Sequence, residues 1–156
     1  MYVFMACEKK TLTETIESSG LRATEARCRI LELLFSTHGH YTPEEMLEAL
    51  RERGKPLSIA TLYQNLQKLS EVGIIARFVG RDGHTRYDAN TKPHHHLVCK
   101  VCGRIVDVGI EGPVSELRPA ALFEEERGEV AAWRVEETYI ELYGICPECQ
   151  AARASA

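Results

Sequence analysis

Helical start and stop signals frame four segments in the first half of the chain. "KKTLTETIESSG" reads as a short helix ended by Gly20. Thr24 caps "EARCRILELLFSTHG", in which Ile30, Leu31, Leu33, Leu34 and Phe35 supply the core face. "YTPEEMLEALRERG" has Thr42 as N-cap, Pro43 at N1, Glu45 closing a capping box and Gly54 as its stop. Ser58 caps "IATLYQNLQKLSEVG", which Gly73 ends. The pattern then changes. In "IIARFVGRDGHTRYD" apolar residues flank a Gly-Arg-Asp-Gly turn, which predicts a β-hairpin. Three helices, the last two joined by a tight turn, followed by a hairpin make a winged helix-turn-helix over 1–88. "ANTKP", residues 89–93, is the expected hinge.

Beyond it, "HHHLVC" and "GRIVDVGI" are strand-like around a first C-x2-C pair. "GPVSELRPAALFEEERG", residues 112–128, predicts a helix with Pro119 as a possible kink, and "WRVEETYIELYGIC", 133–146, predicts another strand. The second pair, "CPEC", closes a domain expected over 94–150, and 151–156 is expected to be a flexible tail. The predicted class is α+β. A unit of this size has little core of its own and usually needs a metal, a crosslink or a partner chain.

Composition narrows the classes. A 44% hydrophobic and 27% charged chain is ordinary for a folded globular protein. No apolar run approaches the roughly 18–20 residues of a membrane span. "MYVFMACEKK" lacks the basic and long apolar regions of an export signal, so a cytoplasmic location is expected, with Met5 an alternative start. Residues 1–90 hold 12 basic and 12 acidic side chains, so the net charge of −4 falls in the remainder. This excludes an indiscriminate polyanion binder and leaves specific nucleic-acid recognition open.

Six cysteines without an export signal suggest a reducing compartment, where C-x2-C pairs are more often metal-binding or catalytic than disulfide-forming. Cys99, Cys102, Cys146 and Cys149 suit tetrahedral Zn²⁺ with bonds of about 2.3 Å. A redox-active dithiol wants its pair at a helix N-terminus. The first pair instead runs into "RIVDV" and the second lies at the chain's end. Structural zinc is therefore the favoured reading, ahead of a dithiol or an iron centre. Cys7 and Cys28 stand outside this set.

The histidines divide by strand alternation, His94 and His96 to one face and His95 to the other. If the first C-x2-C is the turn of a hairpin, residues 99 and 104 pair and Asp107 lies across from His96. Two imidazoles and a carboxylate on one face suit non-haem Fe²⁺ with open positions. A solvated histidine cluster is the competing reading.

Together, "SIATLYQNLQKLSEVGI", "TRYD", "HHHLVCKVCGRIVD" and "LYGICPEC", in that order, resemble the ferric uptake regulator (Fur) family over about residues 10–149, most of all its peroxide-sensing (PerR) branch. The resemblance implies a homodimeric, DNA-binding transcriptional repressor whose C-terminal domain dimerises, and no enzyme. It implies a structural zinc on the four cysteines and a regulatory Fe²⁺ or Mn²⁺ site on His40, Asp88, His94, His96 and Asp107. Iron-responsive members commonly have Glu where Asp88 stands, which favours peroxide sensing. The oxidation-sensitive positions become His40 and His94. Glu136, Glu137 and Thr138 lie where many relatives carry the histidine of a second metal site, so a histidine-based second site is not expected.

Double-stranded operator DNA is the implied partner. Thr61, Gln64, Asn65 and Lys68 form a polar stripe opposite Leu62, Leu66 and Leu69. Tyr63 corresponds to the family's base-contacting tyrosine, Ser58 opens the same helix, and Arg77, Arg81 and Arg86 on the wing are candidate phosphate contacts. Two other readings stay open: the same fold sensing iron, zinc or manganese without peroxide chemistry, and a small redox or metalloenzyme using the cysteine pairs. A zinc-stapled interaction module is a third.

Overall fold

The computed structural model describes residues 9–109, 119–136 and 138–154. Met5, Cys7, the first part of the helix predicted over 112–128, and Glu137 lie outside them. The chain divides into two compact units, Met1–Lys92 and Pro93–Ala156.

In the first unit, α1 (Lys9–Ser18), α2 (Glu25–Thr37), α3 (Pro43–Glu52) and α4 (Ile59–Glu71) precede an antiparallel pair, β1 (Ala76–Val79) and β2 (Thr85–Asp88). This is a winged helix-turn-helix. Both halves of the α3 capping box form: the Glu45 amide donates to Thr42 Oγ1 at 3.2 Å, and the Thr42 amide to Glu45 Oε2 at 2.8 Å. Ser58 caps α4 by accepting from the Thr61 amide at 3.1 Å. The apolar stripes meet in one core that includes Leu12, Ile16, Ile30, Leu34, Met46, Leu62, Leu66, Leu69 and Tyr87. Full burial of each leucine contributes about 2–3 kcal/mol against the entropy of ordering the chain.

The loop between α2 and α3 is tied to the wing. The Tyr41 amide donates to Tyr87 O at 3.1 Å and the Tyr87 amide to Tyr41 O at 2.9 Å, a one-pair bridge. Reaching it requires a sharp exit from α2, where His38 caps the helix in the left-handed region at φ 50°. Gly39 follows because there is no room for a side chain: a Cβ there would lie 2.4 Å from the Tyr41 ring.

In the second unit, β3 (His95–Cys99) is the central strand, antiparallel to β4 (Ile105–Val108) and parallel to β5 (Glu141–Gly144). α5 (Arg127–Ala132) follows a 3-10 turn at Glu124–Glu126, and α6 (Pro147–Ala154) closes the described chain. Cys99 is the one buried apolar side chain here among the described residues.

Three expectations change in this unit. The helix over 112–128 is replaced, where described, by an irregular stretch, the 3-10 turn and α5. Phe123 is extended and neither segment has a side-chain cap, so the orphan amides at their starts go without side-chain acceptors. The strand over 133–146 shrinks to Glu141–Gly144, because β3 offers pairing partners only from His96 to Cys99. The tail expected over 151–156 is helical to Ala154. Its alanines are strong helix formers, and the Gln150 side chain donates back to Ile145 O at 2.6 Å. No described helix is long and apolar enough to cross a membrane.

Candidate metal centres

The parallel pairing of β3 with β5 gathers the four cysteines. Cys99 pairs in register with Gly144, so the chain leaving β5 delivers Cys146 beside the end of β3, and the Cys146 amide donates to Cys99 Sγ at 3.3 Å. Gly103 at φ 75° closes the first knuckle, its amide donating to Cys99 O at 3.0 Å. Cys149 comes from the first turn of α6.

All four sulfurs lie within 4.8 Å of one another, with Cys102 and Cys146 at 3.8 Å. A tetrahedral ion with metal–sulfur bonds of about 2.3 Å requires sulfurs about 3.8 Å apart. The donor set therefore fits a closed tetrahedral zinc site. The amides of Cys102, Cys146 and Val101 lower the Cys99 thiol to about 6, whereas the Cys146 sulfur and burial push Cys149 up to about 12. The cluster stabilises one thiolate readily and resists forming them all, so a divalent cation supplies the charge that lets four thiolates coexist.

Contrary to the sequence expectation, the second C-x2-C pair does sit at the start of a helix. "CPEC" straddles the start of α6, with Pro147 opening the helix. The gathering of all four sulfurs, rather than their distance from a helix, is what disfavours an isolated redox pair.

The histidine and aspartate candidates fall into two groups, one in each unit. In the first unit the Tyr41–Tyr87 bridge sets the neighbouring His40 beside Asp88, with Nε2 3.6 Å from Oδ2 and both side chains less than a twentieth exposed. Asp88 Oδ1 accepts from the Asn90 amide at 2.8 Å. The His40 ring meets Phe78 edge-on at 5.7 Å.

In the second unit, His96 pairs in register with Asp107, as the C-x2-C turn predicts. His94 Nε2 and His96 Nε2 are 2.9 Å apart, and each lies 3.5 Å from Asp107 Oδ1. Three electron-pair donors converge on one point, an arrangement that suits a divalent cation of the Fe²⁺, Mn²⁺ or Zn²⁺ class. His95 faces elsewhere, and its Nδ1 accepts from the Ile140 amide at 3.3 Å.

Two neighbours of this group escaped the sequence reading. Tyr139 Oη lies 2.6 Å from His96 Nδ1, and Tyr139 in turn donates to Glu141 Oε1 at 3.2 Å. Burial first, then the Glu141 charge, raises the Tyr139 pKa, so the phenol keeps its proton. The alternation 139, 141, 143 was visible, but nothing in it announced a parallel partner in β3.

The DNA-reading candidates separate equally clearly. Tyr63, Gln64 and Lys68 are exposed on α4 and Arg77 on β1. Tyr63, Gln64 and Arg77 line a groove of about 760 Å³ between α4 and the wing. Tyr63 donates to Glu44 at 3.0 Å. Asn65, expected on the reading stripe, is also tied into the fold. It accepts from Arg27 Nε at 3.1 Å and donates to Thr61 O at 2.7 Å, so its amide is committed inside the fold. Arg86 makes a two-point ion pair with Asp82 at 2.9 and 2.6 Å, which steadies the wing. Ser58 and Thr61 bond to each other at the start of α4, and Arg81 is exposed at the wing turn.

The ferric uptake regulator family model matches residues 18–132. The chain is 33% identical over 144 residues to the peroxide operon regulator of Bacillus subtilis (strain 168), covering 92% of this chain and 94% of that one. It is 34% identical over 136 residues to the peroxide-responsive repressor PerR of Staphylococcus aureus (strain Mu50), covering 87% of each. Among solved structures, the Vibrio cholerae ferric uptake regulator superposes with a TM-score of 0.64 at 27% identity, over 86% of this chain and 98% of that one. With both donor clusters on a winged-helix chain, these matches displace the redox-enzyme reading: the chain belongs to the ferric uptake regulator family and is a metal-dependent transcription regulator, not an enzyme.

Proposed function

We propose that this chain is a homodimeric repressor that binds double-stranded operator DNA when a regulatory metal is in place and lets go after that metal reacts with hydrogen peroxide. The four cysteines hold a structural Zn²⁺. His40 and Asp88 of the reading unit and His94, His96 and Asp107 of the second unit share one Fe²⁺ or Mn²⁺. The observation that carries the reading is the convergence of His94, His96 and Asp107 at 2.9–3.5 Å. Three donors underfill an ion that takes five or six, and the buried His40–Asp88 pair supplies two more of the same kind. The likeness to two peroxide regulators supports peroxide as the signal.

The chain's own residues do the following. His40 and Asp88 move with the recognition helix, because the Tyr41–Tyr87 bridge and β2 hold them to the winged helix. His94, His96 and Asp107 belong to the β3–β4 hairpin anchored by the cysteine cluster. An ion shared by both groups couples the reading heads to the dimerising half, so its loss changes the spacing of two α4 helices on the operator. Fe²⁺ held there would promote cleavage of the peroxide O–O bond beside the ligand imidazoles. His40 and His94 are the positions where the net reaction, imidazole plus H₂O₂ giving oxo-imidazole plus water, would destroy a ligand and relieve repression.

The test is operator affinity with Fe²⁺ or Mn²⁺, before and after equimolar peroxide, with mass spectrometry of the His40 and His94 peptides. The proposal expects the Fe²⁺ form alone to lose affinity and gain oxygen. Equal peroxide tolerance of both forms would leave a regulator of metal availability in its place.

A further inference from the structure

Among the described residues, Tyr139 is a contact of the His94–His96–Asp107 group that neither the proposed metal nor the cysteine cluster accounts for. Its hydroxyl sits 2.6 Å from His96 Nδ1 and 3.2 Å from Glu141 Oε1, and Tyr143 donates to the other Glu141 oxygen. The direction of these bonds follows from the groups themselves. Glu141 accepts from both Tyr139 and Tyr143, so Tyr139 spends its single proton on Glu141 and presents a lone pair to His96. His96 Nδ1 must then carry the ring proton. That leaves His96 Nε2 unprotonated, and Nε2 is the atom facing His94 Nε2 at 2.9 Å and Asp107 at 3.5 Å.

We infer that Tyr139, oriented by Glu141, is a positioning residue that locks His96 in the tautomer and ring orientation a regulatory metal needs. The inference rests on His96 being a ligand. A neutral imidazole with a free choice of proton divides itself between two tautomers, only one of which presents Nε2. A fixed acceptor at Nδ1 removes that choice and raises the basicity of the ligating nitrogen. The register explains how the chain achieves this: β5 runs parallel to β3 with Glu141 opposite His96, so Tyr139, two residues earlier, reaches the edge of the same ring. Tyr139 touches no metal in this scheme and acts through His96.

The experiment compares wild type, Tyr139→Phe and His96→Ala as full-length chains with structural zinc retained, using Mn²⁺ alone as the probe. Mn²⁺ affinity is read by electron paramagnetic resonance. The His96 tautomer is read from the ring ¹⁵N shifts without Mn²⁺, a signature that a purely structural role for the tyrosine does not move. Tyr139→Phe keeps the ring and is expected to weaken Mn²⁺ binding by about 10–100-fold, with zinc content unchanged and His96 shifted from a single Nδ1–H form to a mixture. Unchanged affinity or an unchanged tautomer in that variant overturns the inference while the ligand assignment stands. If His96→Ala binds Mn²⁺ as tightly as wild type, the ligand assignment itself falls and takes the inference with it.

Discussion

Replacing Cys102 by serine isolates the contribution of the metal to the second unit. Cys102 is exposed and lies outside any apolar core, so the substitution removes a proposed zinc ligand with almost no packing. An ordinary surface change shifts stability by only about 0.5 kcal/mol. A tetrahedral thiolate zinc site contributes roughly 10–16 kcal/mol to small domains, comparable to the about 5–15 kcal/mol of net stability in a whole protein. In the second unit only Cys99 is buried among the apolar described residues, so within one chain nothing else there offsets a loss of that size. The expected result is selective. Zinc content falls, and the amide signals of β3, β4 and β5 collapse towards unfolded positions. Those of α2 and α4, which rest on their own core, keep their dispersion. Native dispersion of the β3–β5 signals in a variant shown to be zinc-free would refute the reasoning.

Gly39→Ala should drive the new Cβ against the Tyr41 ring and weaken the Tyr41–Tyr87 bridge. A loss of about 1–3 kcal/mol in urea unfolding, with weaker Mn²⁺ binding through the displaced His40, is the outcome to check. Asn65→Ala leaves Arg27 Nε without its acceptor at 3.1 Å and should destabilise the fold by about 1–3 kcal/mol, whereas Gln64→Ala should cut operator affinity at unchanged stability. Paired denaturation and DNA-binding curves separate the two. Arg77→Ala should lower affinity for all DNA sequences alike and reduce the slope of log affinity against log salt by about one.

Local chemistry made the first unit readable. The Thr42–Glu45 box, the Ser58 cap and the buried Leu62, Leu66 and Leu69 are each specified within a few residues of themselves. The His96–Asp107 pairing was readable for the same reason, since the Cys99–Cys102 turn fixes the register of both strands. What stayed hidden depends on segments far apart in the chain. Parallel pairing of β3 with β5 joins residues about forty-five positions apart, and no turn between them announces it. The Tyr139 contact to His96 and the short length of β5 both follow from that pairing. The second role of Asn65 stayed hidden for a similar reason: its spacing matches the exposed stripe, but Arg27 from α2 reaches across and bonds its carbonyl.

The proposed function requires that one removable ion be held jointly by His40 with Asp88 and by His94, His96 and Asp107. Its most direct test is a double-mutant cycle of Mn²⁺-dependent operator affinity over His40→Ala, His96→Ala and the pair. Residues that serve one ion lose its effect once, so each single variant and the double variant should show the same loss of Mn²⁺-stimulated binding. Losses that simply add, or a His40→Ala protein still stimulated by Mn²⁺ like wild type, would contradict the shared ion.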